Sequence, residues 1–324
     1  MRADPRWRWR RRGPGMKKLI ACGVLIASLA TGARADWQRD ATTLAWRAGG
    51  RVVWQFSFDP TKGKTFFNPL SVAGGPSLTN FRPEDHPWHY GLWFSWKYIN
   101  HVNYWEEDRT SGKAGGATRW SPPAIETAAD GSATIRLAIT YESAPGVVDL
   151  SEARELRVAA PAADGSYTID WRAHFTAGRT DLVLDRTPMP GEPKGAVNGG
   201  YAGLGIRMAA APLGIAFVSP AGPIAEFVRD RARPAAPAMA CNFSDGPTPA
   251  GAIAILSDPV NAGENAPWYL INSAAFRFAC PAILAPKPRA VPAGGQFDLH
   301  YRIALRREPW TPEALRAALA AWRR

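Results

Sequence analysis

Most of the side chains that could do chemistry lie between Phe81 and Asp108. The segment holds His86, His89 and His101, three of the chain's five histidines. It also holds Trp88, Trp93, Trp96 and Trp105, and the acids Glu84, Asp85, Glu106, Glu107 and Asp108. Imidazole titrates near neutral pH, so His86 and His89 are candidates for acid/base work. Pro87 removes a backbone donor and biases His86 towards an extended backbone, which excludes a helical H-E-x-x-H zinc motif. Three residues apart in an extended chain, the two imidazoles point to different sides and converge only if the loop curls. Once together they would form an acid/base pair, or a metal site completed by a distant group such as His174 or His300. Otherwise they hydrogen-bond to hold the loop in shape.

The neighbouring residues carry similar alternatives. Asp85 either orients an imidazole, binds a sugar hydroxyl or forms a turn. Trp93 and Trp96 either stack on the apolar faces of sugar rings or fill the core. Trp105 and Glu106 end the segment, and a carboxylate there either faces the histidines or belongs to a solvated charge run. Further on, Gly199-Gly-Tyr-Ala-Gly-Leu-Gly-Ile-Arg-Met208 lacks the spacing of a dinucleotide fingerprint and has no P-loop lysine. Its glycines suit a kinked strand. Arg207 on that strand would bind an anionic or polyhydroxyl substrate, or make a structural ion pair.

The elements that must position these groups read as strands. Branched or alternating apolar runs recur at 51–58, 133–142, 166–177, 182–185, 214–219, 251–257, 274–280 and 296–306, many bounded by Gly, Pro, Asp or Asn. Thr311 can cap a C-terminal helix over 311–324, with Pro312 in its first turn and a stripe of Leu315, Leu319 and Trp322. Residues 59–87, 187–200 and 229–251 read as long loops, the usual home of function in a compact β domain. The expected fold class is therefore all-β: one large β-sandwich domain over 36–324 ending in a short helix.

The chain has 324 residues, Lys+Arg 39 against Asp+Glu 28, and a formal charge of +11, a balance that invites nucleic acid. The charge is not spread evenly. Residues 1–35 hold nine Lys and Arg and one Asp, so residues 36–324 carry only +3. That N-terminal segment reads as a leader: Lys17-Lys18, an apolar run from Leu19 to Thr31, then Ala33-Arg34-Ala35. Cleavage is expected after Ala35, with Met1 or Met16 as the start, which sends the protein to the periplasm or the exterior. The apolar run is short of the ~20 residues of a membrane span. Neither a nucleic-acid partner nor a membrane association after cleavage is expected. In an oxidising compartment Cys241 and Cys280 could form one disulfide or stay as buried thiols.

Asp85-His-Pro-Trp-His-Tyr-Gly-Leu-Trp-Phe94, followed by Val102-Asn-Tyr-Trp105, resembles the DHPHHRGLWF … VNGxDFW signature of a bacterial PmoA-like family, also known as a domain of unknown function. Lys64-Thr-Phe-Phe-Asn-Pro-Leu70 is similar to its KPYFHPL segment, and the glycine-rich strand ending at Arg207 to a later one. Trp88 stands where the family has the first of two histidines, and Tyr90 where it has arginine. His86, His89, Asp85, Trp93, Trp105 and Arg207 carry over. The methane oxygenase that the label suggests is rejected, because no segment of 36–324 approaches a membrane span. The resemblance implies a secreted β-sandwich from carbohydrate-degrading settings, similar in fold to the supersandwich of sugar mutarotases.

The leading expectation is an exported enzyme acting on a carbohydrate or sugar derivative, as a lyase, epimerase or hydrolase. His86 and His89 are its acid/base groups, Asp85 their orienter and Arg207 a clamp. Trp93, Trp96, Trp105 and Glu106 would bind substrate, a small molecule or an oligosaccharide. No cofactor is required by the sequence. The alternatives are a non-catalytic glycan-binding protein, and an enzyme using a divalent metal on His86 and His89.

Overall fold

The computed structural model describes residues 36–324; the leader and its cleavage point lie outside them. The fold is all-β, as expected, with two ten-stranded antiparallel sheets and a smaller four-stranded one. The first large sheet runs from Asp36–Arg39 at one edge through Thr43–Ala48, Arg51–Ser57, Phe66–Leu70, Leu92–Ser95, Gly203–Arg207 and Arg277–Pro281 to Ala266–Asn272 and Arg231–Ala232. The second centres on the long strands Thr248–Ser257, Gln296–Arg306, Tyr167–Ala177, Val147–Val158 and Ala133–Ala144.

The sheets share one core. Phe94 of the first meets Phe175 of the second at 5.6 Å between ring centroids, and Phe67 meets Trp171 at 6.5 Å. The two-residue alternation of Tyr167–Ala177 turns Ile169, Trp171 and Phe175 into this core and leaves Arg172 and His174 exposed. The C-terminal helix Pro312–Trp322 covers the end of the second sheet's outer face that Ala238–Asp245 and Thr248–Ser257 form. Thr311 caps it, accepting from the Ala314 amide at 3.2 Å. Leu315 and Leu319 pack there on Ala238, Ala240, Ala252 and Ala254, whose small side chains let the helix sit close.

One expectation is corrected here and one open alternative is decided. Neither 59–87 nor 229–251 is one long loop: the first contains the strand Phe66–Leu70 of the first sheet, and the second contains the buried strand Ala238–Asp245. The helix covers one side of that strand and the core the other, so no polar alternation marks it. Cys241 and Cys280 are both buried free thiols rather than a disulfide. Cys241 faces the core between the sheets, whereas Cys280 points to the opposite side of the first sheet. Burial pushes both thiols up, Cys280 to about 12. Both should resist thiol reagents until the chain unfolds, and dithiothreitol should leave the melting temperature unchanged. A fall in that temperature on reduction would reveal a bridge.

Candidate functional site

The site is built on the face of the first sheet that looks away from the shared core. Four adjacent strands alternate across it. Leu92, Phe94, Leu204, Ile206, Ala279, Trp268 and Leu270 face the core. Trp93, Phe278, Tyr269 and Ile271 face the other way, into a second apolar cluster. Gly205 lies opposite Trp93 in the register. A Cβ there would come within 3.1 Å of Trp105 and 3.2 Å of Phe278, so glycine lets these rings lie close on the strand where a larger residue would push them back by a few tenths of an ångström.

Over this floor lies the loop from Phe81 to Gly91. It curls as the histidines require, through two successive turns: the His86 amide donates to Pro83 O at 3.0 Å and the His89 amide to His86 O at 3.0 Å. The imidazoles end with centroids 4.8 Å apart. Gly91 then turns the chain into its strand at φ 68°, where a Cβ would lie 2.5 Å from Phe67 O. Arg109 ties the loop down by donating to Asp85 O at 2.7 Å and stacking on Trp88 at 5.3 Å.

Asp85, His86, His89 and Arg207 are brought together. Arg207 Nη2 donates to both Asp85 oxygens at 3.0 and 2.9 Å and to Ala275 O at 2.9 Å. Its guanidinium lies 3.9 Å from the centre of the Phe276 ring. Asp85 in turn accepts from His86 Nδ1 at 3.0 Å. Burial alone would raise the Asp85 carboxyl, but these two donors hold it below its ordinary value. A carboxylate partner fixes the proton of His86 on Nδ1 and leaves a lone pair on Nε2. Burial pulls His86 below its usual pKa, although Asp85 opposes this. His89 is 4% exposed, with Trp93 at 4.9 Å and Phe278 at 5.3 Å. Burial and the nearby cationic groups drive it well below the imidazole range, so it is neutral. Arg207 Nη1 approaches His89 Nδ1 at 3.5 Å, and because a guanidinium only donates, this contact favours the tautomer with the His89 proton on Nε2.

Both histidines line a cavity of about 420 Å³. Trp88, Trp105, Tyr201, Tyr269, Phe276 and Phe278 form its aromatic walls, and Glu106, Asn198 and Arg231 add polar groups. Glu106 accepts from Asn103 Nδ2 at 2.8 Å, and also from Lys97 and the Tyr201 hydroxyl. Burial opposes its charge, yet Lys97 and the other donors keep it below the usual carboxylate range. It is therefore a fixed carboxylate rather than a proton donor.

Several expected roles change. Trp96 is fully buried between the sheets, against Phe94, Phe175 and Phe297, and takes no part in the cavity. Trp93 is also fully buried and backs His89 from below. Of the proposed stacking residues, Trp105 lines the cavity. Arg207, expected as a clamp, is buried and spends its Nη2 on Asp85 and Ala275 O, which holds Asp85 in place. His101 sits at a tight turn with φ 68°. His174 and His300 lie on the second sheet, where they pair with Asp298 and Asp258. Neither could complete a metal site with His86 and His89, and among the described residues no three His, Cys, Asp or Glu side chains are grouped to hold a metal.

Tyr201, Tyr269, Phe276, Phe278, Asn198 and Arg231 were not foreseen. Tyr201 did carry a signal, as the aromatic residue inside the glycine-rich segment. The strand Ala266–Asn272 gave none, for it is apolar on both faces.

A search of curated proteins returned no match. Among solved structures the chain is similar to a putative aldose 1-epimerase from Klebsiella pneumoniae, at 10% identity and a TM-score of 0.43, covering 86% of this chain and 83% of that one. It is also similar to the α-galactosidase from Lactobacillus brevis, at 10% identity and a TM-score of 0.42 over 85% of this chain. A heparan sulfate lyase HepC mutant from Pedobacter heparinus matches at 10% identity and a TM-score of 0.37, covering 86% of this chain and 37% of that one. The chain spans 39% and 41% of the two galactosidase structures it matches. Residues 43–320 match the model of a family of unknown function (DUF6807), and the chain belongs to that family.

Proposed function

We propose that this is an exported, PmoA-like protein that acts on a carbohydrate or sugar derivative by acid/base chemistry between His86 and His89. One observation carries the reading: the curled loop sets two imidazoles 4.8 Å apart on one aromatic cavity. His86, with its Nδ1 proton on Asp85, offers Nε2 as a base. His89, neutral and protonated on Nε2, offers a hydrogen bond to an oxygen where negative charge develops. That pairing suits removal of a proton beside a carbonyl, as in epimerisation or elimination. The aromatic walls would hold the apolar faces of sugar rings.

The test is turnover of a panel of sugars and glycans by the wild type and a His86→Ala, His89→Ala double variant. Product formed by the wild type and lost in a folded double variant supports the reading. Glycan affinity without product in either protein would instead make this a binding protein, since the aromatic walls alone suffice for that. Turnover lost on chelation and restored by a divalent cation would favour the metal-dependent alternative.

A further inference from the structure

The cavity does not end at its aromatic walls. Val197 and Arg231 line it and also line a neighbouring groove of about 670 Å³, which includes Ile224, Val228 and Arg233. Arg231 is placed by a tight turn: Val228 and Arg231 exchange backbone hydrogen bonds at 2.9 and 3.1 Å around Arg229 and Asp230. Both turn residues are left-handed, with φ 49° and 64°. This is a strained choice for a non-glycine residue such as Arg229.

Arg231 Nε donates to the Tyr269 hydroxyl at 3.2 Å and Nη1 to Arg229 O at 2.7 Å. Arg233 lies 4.3 Å from the centre of the Tyr269 ring, and its Nη2 donates to Val197 O and Gly199 O at 2.9 and 2.7 Å. Its Nη1 is buried with no partner. Two guanidiniums thus share one tyrosine where the cavity meets the groove, and neither is in an ion pair among the described residues. Glu226, the groove's own acid, is exposed. Glu106 across the cavity is taken up by Lys97, Asn103 and Tyr201. Like charges held together and partly desolvated are unfavourable unless an anion joins them, and guanidinium forks match planar oxyanions.

We propose that the ligand is a saccharide bearing an anionic oxygen group, a carboxylate or a sulfate. Arg231 and Arg233 hold that group, and further sugar units run along the groove. The proposal rests on the carbohydrate reading of the cavity but not on its acid/base chemistry. It is tested on an array of neutral, uronate-containing and sulfated glycans with the wild type and an Arg231→Gln, Arg233→Gln double variant. Binding should be confined to the acidic members, weaken as salt is raised, and fall by at least about ten-fold in the double variant. The uronate and sulfate arms tell which group is recognised. Equal binding of neutral glycans, no binding of any acidic glycan, or acidic preference surviving in the double variant overturns the proposal. Should that variant not fold, the Arg→Lys pair and the salt dependence of the wild type decide. Failure of the acid/base reading shows separately, as acidic-glycan binding without any His86-dependent turnover.

Discussion

Replacing His86 with alanine should lower turnover by about 10²–10⁴-fold, the ordinary contribution of a positioned general base. It should leave the melting temperature nearly unchanged, because the side chain is part-exposed and its ring caps the cavity rather than filling the core. The pH profile is the sharper readout. His86 works as a base only when neutral, so activity must fall as pH drops through its pKa. Burial sets that pKa below the ordinary 6.5, with Asp85 partly opposing. The acidic limb of kcat/KM should therefore lie below pH 6.5, and activity should persist into mildly acid solution.

Asp85→Asn removes the carboxylate that raises the imidazole and fixes its tautomer. It should move the limb to still lower pH while lowering kcat. A structural role for Asp85 alone would lower the rate without moving the limb. A limb at or above pH 6.5 in the wild type, or unchanged turnover in His86→Ala, would remove His86 as the base. His89→Gln makes the complementary case. It keeps a donor but not the neutral imidazole packed between Trp93 and Phe278, and it should lower kcat without moving the acidic limb.

How far the sequence could be read depended on how many faces of an element are buried. Tyr167–Ala177 was legible because one face meets the core and the other meets water. Ala266–Asn272 was not, because Trp268 and Leu270 enter the core while Tyr269 and Ile271 enter the second cluster. A strand buried on both sides loses its period-two signal. The same holds for the site. Residue type pointed to Asp85, His86 and His89, but their convergence depends on two backbone turns and on Arg207 crossing from a strand more than a hundred residues away. Trp93 and Trp96 looked equivalent in sequence. Trp93 ends beneath His89 and Trp96 ends between the sheets, a distinction of face and strand end that composition does not encode. Glu106 and Glu107 likewise diverge, one to the cavity wall and the other to a separate buried network.

That network should dominate the stability of the site's frame. The Glu107 carboxylate accepts from Lys64 Nζ at 3.0 Å, Arg82 Nη1 at 2.8 Å and the Tyr90 hydroxyl at 2.6 Å. The Lys64 and Glu107 side chains are only 3% and 5% exposed. Burial already lowers the Lys64 ammonium despite the pull of Glu107. Glu107→Ala would leave that ammonium buried and unpaired, a loss of about 3–5 kcal/mol. At about 2–4 °C per kcal/mol, the scale for domains of 150–250 residues, the melting temperature should fall by roughly 6–20 °C. Replacing the two buried charges, as in Lys64→Met with Glu107→Leu, should recover part of this, because it removes the stranded ammonium and leaves only the part-exposed Arg82 without its carboxylate. The effect should also reach the cavity: Tyr90 follows His89 in the chain, and the Arg82 amide donates to His89 O at 2.8 Å. Glu107→Gln keeps the shape and one acceptor oxygen, so it should cost less than alanine and serve as the conservative comparison. A double-mutant cycle on Lys64 and Glu107 checks the account. A loss below about 1 kcal/mol in Glu107→Ala would mean the ammonium reaches water and the network is no frame at all.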